Sequence, residues 1–109
     1  MYKADSQSNS KLTPQVDLNL LRYLTVLVQE CSVSRAAERV DITQPAMSAA
    51  LKRLRTAFGD PILVRSGQAM VATPRAEEMA ATVKPLLHSV DKLSRPALNF
   101  EPKLSRLDF

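Results

Sequence analysis

The chain has 109 residues, which suits one small domain with a modest core and leaves no room for a large enclosed cofactor cavity. Its hydrophobic content of 45%, with only 2 glycines and 5% aromatic residues, favours a mostly helical fold over a sandwich or a barrel. A single cysteine excludes an intramolecular disulfide, and together with a single histidine it makes a poor metal-ligand set. We therefore expect neither a metal nor another cofactor.

The positive charge is concentrated in the middle of the chain. The formal net charge is +4, and between Ser32 and Arg75 seven basic residues outnumber three acidic ones, so this segment alone carries the whole excess. Such a distribution permits a polyanion such as DNA as a partner. The sequence has no carboxylate pair with a histidine, no glycine-rich phosphate loop and no repeated metal-ligand spacing, which argues against an enzyme.

The first 14 residues, MYKADSQSNSKLTP, are polar and have the composition of a flexible arm. They lack the apolar core of a signal peptide, and no apolar run in the chain approaches the roughly 20 residues of a membrane span. We therefore expect a cytoplasmic protein without a membrane partner.

Two helices are predicted after this arm. Asp17 can cap the first, in which leucines and valines recur at helical spacing as far as Val28. Ser32 begins a short second helix, where Ala36 and Ala37 allow another helix to approach closely. The pattern indicates two helices that cross in tight contact.

A third helix follows a sharp turn. Asp41 belongs to the few residue types besides glycine that tolerate a positive φ, and Thr43 can cap a helix from about Gln44 to Phe58. One side of this helix is apolar, and the other is expected to reach outward. For Arg55, the last arginine of the helix, an ion pair with an acidic residue is the alternative. The outward row consists of Gln44, Ser48, Lys52 and Arg55.

A hairpin and a long helix complete the pattern. The apolar runs ILV and MVA flank the glycine-containing turn RSGQA and predict a β-hairpin too small to fold alone. Thr73 and Pro74 mark the start of a helix that extends to about Leu93, over about 30 Å. Pro85 lies inside this helix and is expected to kink it or to cost it a hydrogen bond. So small a domain is not expected to cover its apolar seam, which predicts dimerisation through Met79, Val83, Leu86, Leu87, Val90 and Leu93.

The order of these parts is that of a winged helix-turn-helix. The segment SRAAERVDITQPAMSAALKRLRTAFGDPILVRSGQAMVATPRAEEM also closely resembles the N-terminal domain of LysR-type bacterial transcriptional regulators, and the resemblance covers residues 17 to about 95. It implies a mainly α fold with a small β-hairpin, with the winged helix-turn-helix in residues 15–73 and a linker, or dimerisation, helix in residues 74–95. Residues 96–109 would then lead into an effector-binding domain that is absent from this chain.

The same resemblance, together with the residue types, indicates which residues contact DNA. The amide of Gln44 suits paired hydrogen bonds with adenine, Lys52 suits phosphate, and Arg65 on the wing suits the neighbouring minor groove. The alternative for Gln44 is an ordinary residue in the first turn of the helix, and the alternative for Arg65 is a solvated arginine in a turn. Leu63 and Ala72 depart from residues that are frequent in the family. The expected DNA-binding residues are Thr43, Gln44, Pro45, Ala46, Ser48, Ala49, Lys52, Arg53, Arg65 and Arg75.

We therefore expect a sequence-specific regulator that binds an inverted-repeat promoter site as a dimer, with its recognition helix in the major groove and its wing near the minor groove. Double-stranded DNA and a second copy of the chain are the expected partners, with a tetramer as the alternative for the full-length protein. A small-molecule inducer is implied only for the missing C-terminal domain. The competing interpretation is a helical interaction adaptor without specific DNA binding, which leaves the central charge excess unexplained.

Overall fold

The computed structural model describes residues 16–94 of the chain. In chain order, the described part contains α1 (Leu18–Glu30), α2 (Val33–Arg39), α3 (Gln44–Phe58), β1 (Leu63–Ser66), β2 (Ala69–Ala72) and α4 (Pro74–Ser94). The predicted fold, mainly helical with a small hairpin, is confirmed. The predicted arm and tail lie outside the described residues.

The helices begin where their capping residues predict. Asp17, Ser32, Thr43 and Thr73 each accept, through a side-chain oxygen, a hydrogen bond from the backbone N–H three residues ahead, at distances from 2.8 to 3.1 Å. Such a bond satisfies one of the N–H groups that have no acceptor within the helix. The caps predicted at Asp17 and Thr43 and the helix starts predicted at Ser32 and Thr73 are confirmed.

The sharp turn predicted at Asp41 is confirmed, and two further left-handed residues end α1 and α3. Asp41 has a φ of 60° between α2 and α3, and Gly59 has a φ of 61° at the end of α3. Cys31 ends α1 in the same left-handed conformation, with a φ of 51°, which the sequence did not predict. Cys31 and Asp41 thus lie in the turns between consecutive helices, and Gly59 leads from α3 toward β1.

The core is built around α1, which packs against α2, α3 and α4. Ala36 and Ala37 of α2 are buried, as expected for two helices in close contact. Thr25 and Val26 of α1 are buried as well, although they lie outside the predicted apolar spacing. The largest fully buried side chains are Leu20, Leu24, Leu27, Met47, Leu54, Ile62 and Leu63.

The apolar seam of α4 is divided between two environments. The expectation that the domain leaves this seam uncovered is wrong for Val83 and Leu87, because both are buried in the core of the same chain. Leu86 and Leu93, by contrast, are 57% and 86% exposed. Helix α4 continues through Pro85, so this proline does not end it.

Two properties of residues 16–94 bear on function. None of their helices combines the length and the apolarity that crossing a membrane requires. In the same residues, no three histidine, cysteine, aspartate or glutamate side chains come together where they could hold a metal ion.

Candidate nucleic-acid interface

Helix α3 has one buried side and one exposed side. The buried side consists of Met47, Ala50, Leu51 and Leu54, which are part of the core. With about 100° between successive residues, the opposite side of the helix faces away from α1. The structure places on that exposed side the predicted residues Gln44, Pro45, Ala46, Ser48, Ala49, Lys52 and Arg53.

The exposed side of α3 changes character along the helix. Its first two turns carry small side chains, such as Ala46, Ser48 and Ala49, which let a large ligand approach the backbone closely. Lys52, one turn further on, forms no ion pair with any residue in 16–94. The amino end of a helix also carries a partial positive charge that attracts phosphate. This surface can therefore accept a polyanion at close range.

The wing, residues 61–73 around the β1–β2 hairpin, lies beyond the C-terminal end of α3 in the chain. Its two strands are antiparallel, with Leu63 opposite Ala72 and Arg65 opposite Met70. Leu63 is 2% exposed and anchors the base of the hairpin in the core, whereas Arg65 is exposed near its tip. The predicted wing arginine is thus available to a ligand.

Two predicted contact residues are placed differently from the rest. Thr43 is exposed, but its Oγ1 already accepts the hydrogen bond from the Ala46 N–H that caps α3. Arg75 shares with Phe58 the lining of a groove between α1 and α4. Phe58 ends α3 whereas Gln44 begins it, and the two ends of such a helix are about 20 Å apart. The structure therefore does not bring Arg75 to the N-terminal surface of α3.

Within residues 16–94, Arg55 contacts backbone carbonyl oxygens and not the acidic side chain that was the alternative for it. Its Nε donates to the carbonyl oxygen of Pro61 at 2.9 Å, and its Nη2 donates to that of Leu63 at 3.4 Å. The side chain therefore links the end of α3 to the start of β1. The sequence carries no signal for this contact, because every residue has a carbonyl oxygen.

A second link closes the base of the wing, and it was not predicted from the sequence either. Asp60 Oδ2 accepts hydrogen bonds from the Thr73 hydroxyl at 2.7 Å and from the Ile62 N–H at 2.9 Å. The Thr73 hydrogen bond, followed by the Ile62 N–H, lowers the pKa of Asp60. The ionised carboxylate thus joins the residues before and after the hairpin.

The basic residues of α2 contact α1. Arg39 Nη1 lies 3.0 Å from Glu30 Oε2, and Arg35 Nε lies 3.6 Å from Glu30 Oε1. Glu30 therefore offsets part of the positive charge that the sequence places in the central segment. This leaves α3 and the wing as the more favourable region for an anion.

Comparisons with known proteins agree with this arrangement. Residues 18–77 match the family described as bacterial regulatory helix-turn-helix protein, lysR family. Nodulation protein D 1 of Bradyrhizobium sp. (strain NC92) is 45% identical over 96 residues, which cover 86% of this chain and 30% of that protein. The HTH-type transcriptional activator NahR of Pseudomonas putida is 40% identical over 94 residues, which cover 86% of this chain and 31% of that protein.

A solved structure with the same fold contains DNA. The crystal structure of a BenM DBD complex with catB site 1 DNA has a TM-score of 0.66 and 29% sequence identity, over 72% of this chain and 89% of that chain. The chain spans less than a third of the length of the two curated relatives. Since the family match extends over more than half of the residues, the chain belongs to the LysR family of bacterial regulatory helix-turn-helix proteins.

Proposed function

We propose that this chain is the DNA-binding part of a transcriptional regulator and that α3 enters the major groove of double-stranded DNA. The observation that carries this proposal is the exposed N-terminal side of α3, which combines small side chains with polar and basic ones on a helix whose other side is held in the core. A major groove is wide enough to admit such a helix. The similar protein NahR is an HTH-type transcriptional activator, and the related BenM DBD was crystallised with DNA.

The residues of α3 divide between bases and phosphates in this proposal. Gln44 hydrogen-bonds a base edge, and Pro45 or Ala46 contacts a thymine methyl group. Ser48 and Lys52 contact the phosphate backbone. Arg53 lies one row further round the helix, beside Ala49, and is also assigned to phosphate or guanine.

The wing supplies a further contact. Arg65 is exposed on the hairpin, and an arginine there suits the minor groove, where the negative potential of DNA is concentrated. Thr43 and Arg75 are assigned to backbone phosphates. The position of Arg75 beside the C-terminal end of α3 makes it a peripheral contact.

The proposed assembly is a homodimer through α4. The exposed leucines Leu86 and Leu93 support it, because they lie two turns apart on one face of the helix, and several large apolar side chains on one exposed face commonly mark an interface with a second copy. The dimer contacts are assigned to Leu86 and Leu93 first and to Met79 and Val90 at their margins, while Val83 and Leu87 support the helix from inside the domain. Two-fold symmetry then predicts an inverted-repeat site.

The cellular location is part of the same proposal. The regulator acts in the cytoplasm, where promoter DNA is accessible. A small-molecule inducer, and a tetramer as the alternative assembly, are proposals for a full-length protein with an effector-binding domain.

Selection of binding sites from a pool of random DNA duplexes tests this function. The chain should enrich one inverted repeat, with half-sites about 34 Å or a multiple of that distance apart. Enrichment of a single half-site would contradict the dimer, while retaining the DNA contact. A pool that is not enriched at all would favour the alternative, a helical interaction adaptor without specific DNA binding.

A further inference from the structure

We infer that Arg55 is a positioning residue that holds the wing in the orientation from which Arg65 reaches DNA. This inference rests on the proposed function only in taking Arg65 as a DNA contact. It concerns how the end of α3 controls the hairpin that follows it.

The connection between α3 and β1 contains a strained residue. Ile62 is fully buried and has a φ of 68°. The Leu63 N–H donates to the Pro61 carbonyl oxygen at 2.7 Å, which closes a three-residue γ-turn centred on Ile62. The form of this turn with a positive central φ is rare and strained, and a β-branched residue is the least suited to it. Such a conformation persists only where the surrounding structure holds it.

Hydrogen bonds hold this turn from both sides. The Ile62 N–H donates to Asp60 Oδ2 at 2.9 Å, and the Ile62 carbonyl oxygen accepts from the Thr73 N–H at 3.0 Å. Arg55 contacts the carbonyl oxygens of the residues before and after Ile62, at 2.9 and 3.4 Å. The planar guanidinium can contact both carbonyls at once because its donors have a fixed geometry.

The position of the turn explains why it matters for the wing. A two-stranded hairpin is marginally stable by itself, so its direction depends on how its base is held. Ile62 and Leu63 are buried at that base, whereas Val64 and Arg65 are exposed. A backbone rotation after Leu63 would therefore move Arg65 while the side chains of Ile62 and Leu63 stay in the core. Of the hydrogen bonds that hold this turn, the two from Arg55 come from the proposed recognition helix itself.

A double-mutant cycle tests the inference. In the wild-type chain, Arg65→Ala should weaken binding to the selected duplex by about tenfold, as expected for loss of one charged hydrogen-bond donor. In the Arg55→Met background, Arg65→Ala should have almost no further effect, because the wing is already misplaced. The matched cycle of Arg55→Met with Ser48→Ala should be additive, since Ser48 lies outside the wing and about 10 Å from Arg55 along α3.

The alternative role of Arg55, a direct phosphate contact, has different consequences. It predicts that the effects of Arg55→Met and Arg65→Ala on the binding free energy add. It also predicts that the salt dependence of binding flattens by about one unit in Arg55→Met, and that both the affinity and the salt dependence recover in Arg55→Lys. The positioning role predicts that the salt dependence of binding changes in Arg55→Met only by the share that the lost Arg65 contact accounts for. It also predicts that affinity does not recover in Arg55→Lys, because lysine lacks the planar set of donors. Combining each variant with Arg65→Ala removes the Arg65 contribution from the comparison.

Amide hydrogen exchange in the free chain separates misplacement from unfolding. Arg55→Met should speed exchange at the Leu63 and Thr73 N–H groups and leave α1 and α2 unchanged. An additive cycle with Arg65→Ala, or unchanged exchange at Leu63, overturns the inference alone. If Arg65→Ala has no effect in the wild-type chain, the proposed wing contact fails and the inference falls with it.

Discussion

Arg22 of α1 and Asp91 of α4 form an ion pair with two hydrogen bonds: Nη2 donates to Oδ1 at 2.7 Å, and Nη1 donates to Oδ2 at 3.3 Å. The hydrogen bond to Asp91 raises the pKa of Arg22. The two residues are 69 positions apart in the sequence, so the pair ties the C-terminal half of α4 to the first helix. Their side chains are 35% and 46% exposed, which leaves the pair accessible to solvent and salt.

Removing this ion pair should loosen α4 without unfolding the domain. We expect Arg22→Met to lower the free energy of unfolding by less than about 1 kcal/mol, the usual range for an exposed ion pair. Amide exchange in the last two turns of α4 should become faster, while that of α3 stays unchanged. The difference from wild type should shrink in about 1 M salt, because salt screens exposed charges. A stability loss that salt does not alter would mean that packing of the arginine stem is the cause.

Lys52→Ala tests the phosphate contact on the exposed side of α3. The variant should bind all duplexes more weakly by a similar factor, and its salt dependence should flatten by about one unit, because a phosphate contact releases counterions without reading bases. Binding titrations over a range of salt concentrations measure both effects. A changed order of preference among duplexes would show that Lys52 reads bases instead.

The stability of the wing should depend on pH through Asp60. Its pKa is lowered in the folded chain by the Thr73 hydroxyl first and the Ile62 N–H second, with a smaller effect of the Arg75 charge. The unfolded pKa of an aspartate is about 3.9. Because the folded-state pKa of Asp60 is lower, its carboxylate stabilises the fold at pH values above the unfolded pKa. This stabilisation is lost as the pH falls through the folded-state pKa.

The matched variant Asp60→Asn isolates this effect. We expect the difference in the free energy of unfolding between wild type and Asp60→Asn to be largest above about pH 5 and to decrease as the pH falls below about 4. Thr73→Val should remove much of the same pH dependence, since it removes the main donor; its loss of the helix cap adds a cost that does not vary with pH. Denaturation curves at several pH values provide the comparison, and a difference that grows on acidification would contradict the assignment.

Much of the fold can be predicted from the sequence because the relevant signals are local. A helix cap needs one side-chain oxygen and an N–H three residues ahead, so Asp17 and Thr43 could be identified without any tertiary information. The exposed side of α3 follows equally from the spacing of its apolar residues. The φ of 68° at Ile62 could not be predicted, because local preference disfavours it and only tertiary contacts hold it.

The parts of the site that were missed depend on tertiary contacts that the residue types do not encode. The partners of Arg55 are backbone carbonyl oxygens, which leave no trace in the residue types. The apolar spacing of α4 shows which side of the helix avoids water, but it does not show whether α1 or a second chain covers each residue. For that reason Leu86 and Leu87, although adjacent in the predicted seam, have different surroundings.

Because Leu86 and Leu87 differ in exposure, two single substitutions can test the proposed dimer interface. Leu86 is 57% exposed, so Leu86→Glu should keep the domain folded and, in the proposed dimer, place like charges near the two-fold axis. We expect monomers in sedimentation at micromolar concentration, with unchanged helix content and weak binding to single half-sites. Leu87→Glu should instead disturb the fold, because it places a charge in the core of the chain. If Leu86→Glu still sediments as a dimer, another surface forms the interface.

The most direct measurement of whether α3 reads bases is binding-site selection with Gln44→Ala beside the wild type. The wild-type chain should enrich an inverted repeat and bind it roughly a thousandfold more tightly than a shuffled duplex. Gln44→Ala should lose selectivity at one position of each half-site, at a cost of about 1–3 kcal/mol, because the amide that contacts a base edge is removed. Enrichment of the same site with unchanged selectivity at every position would contradict base reading by Gln44, and equal binding of selected and shuffled duplexes by the wild type would contradict the proposed function.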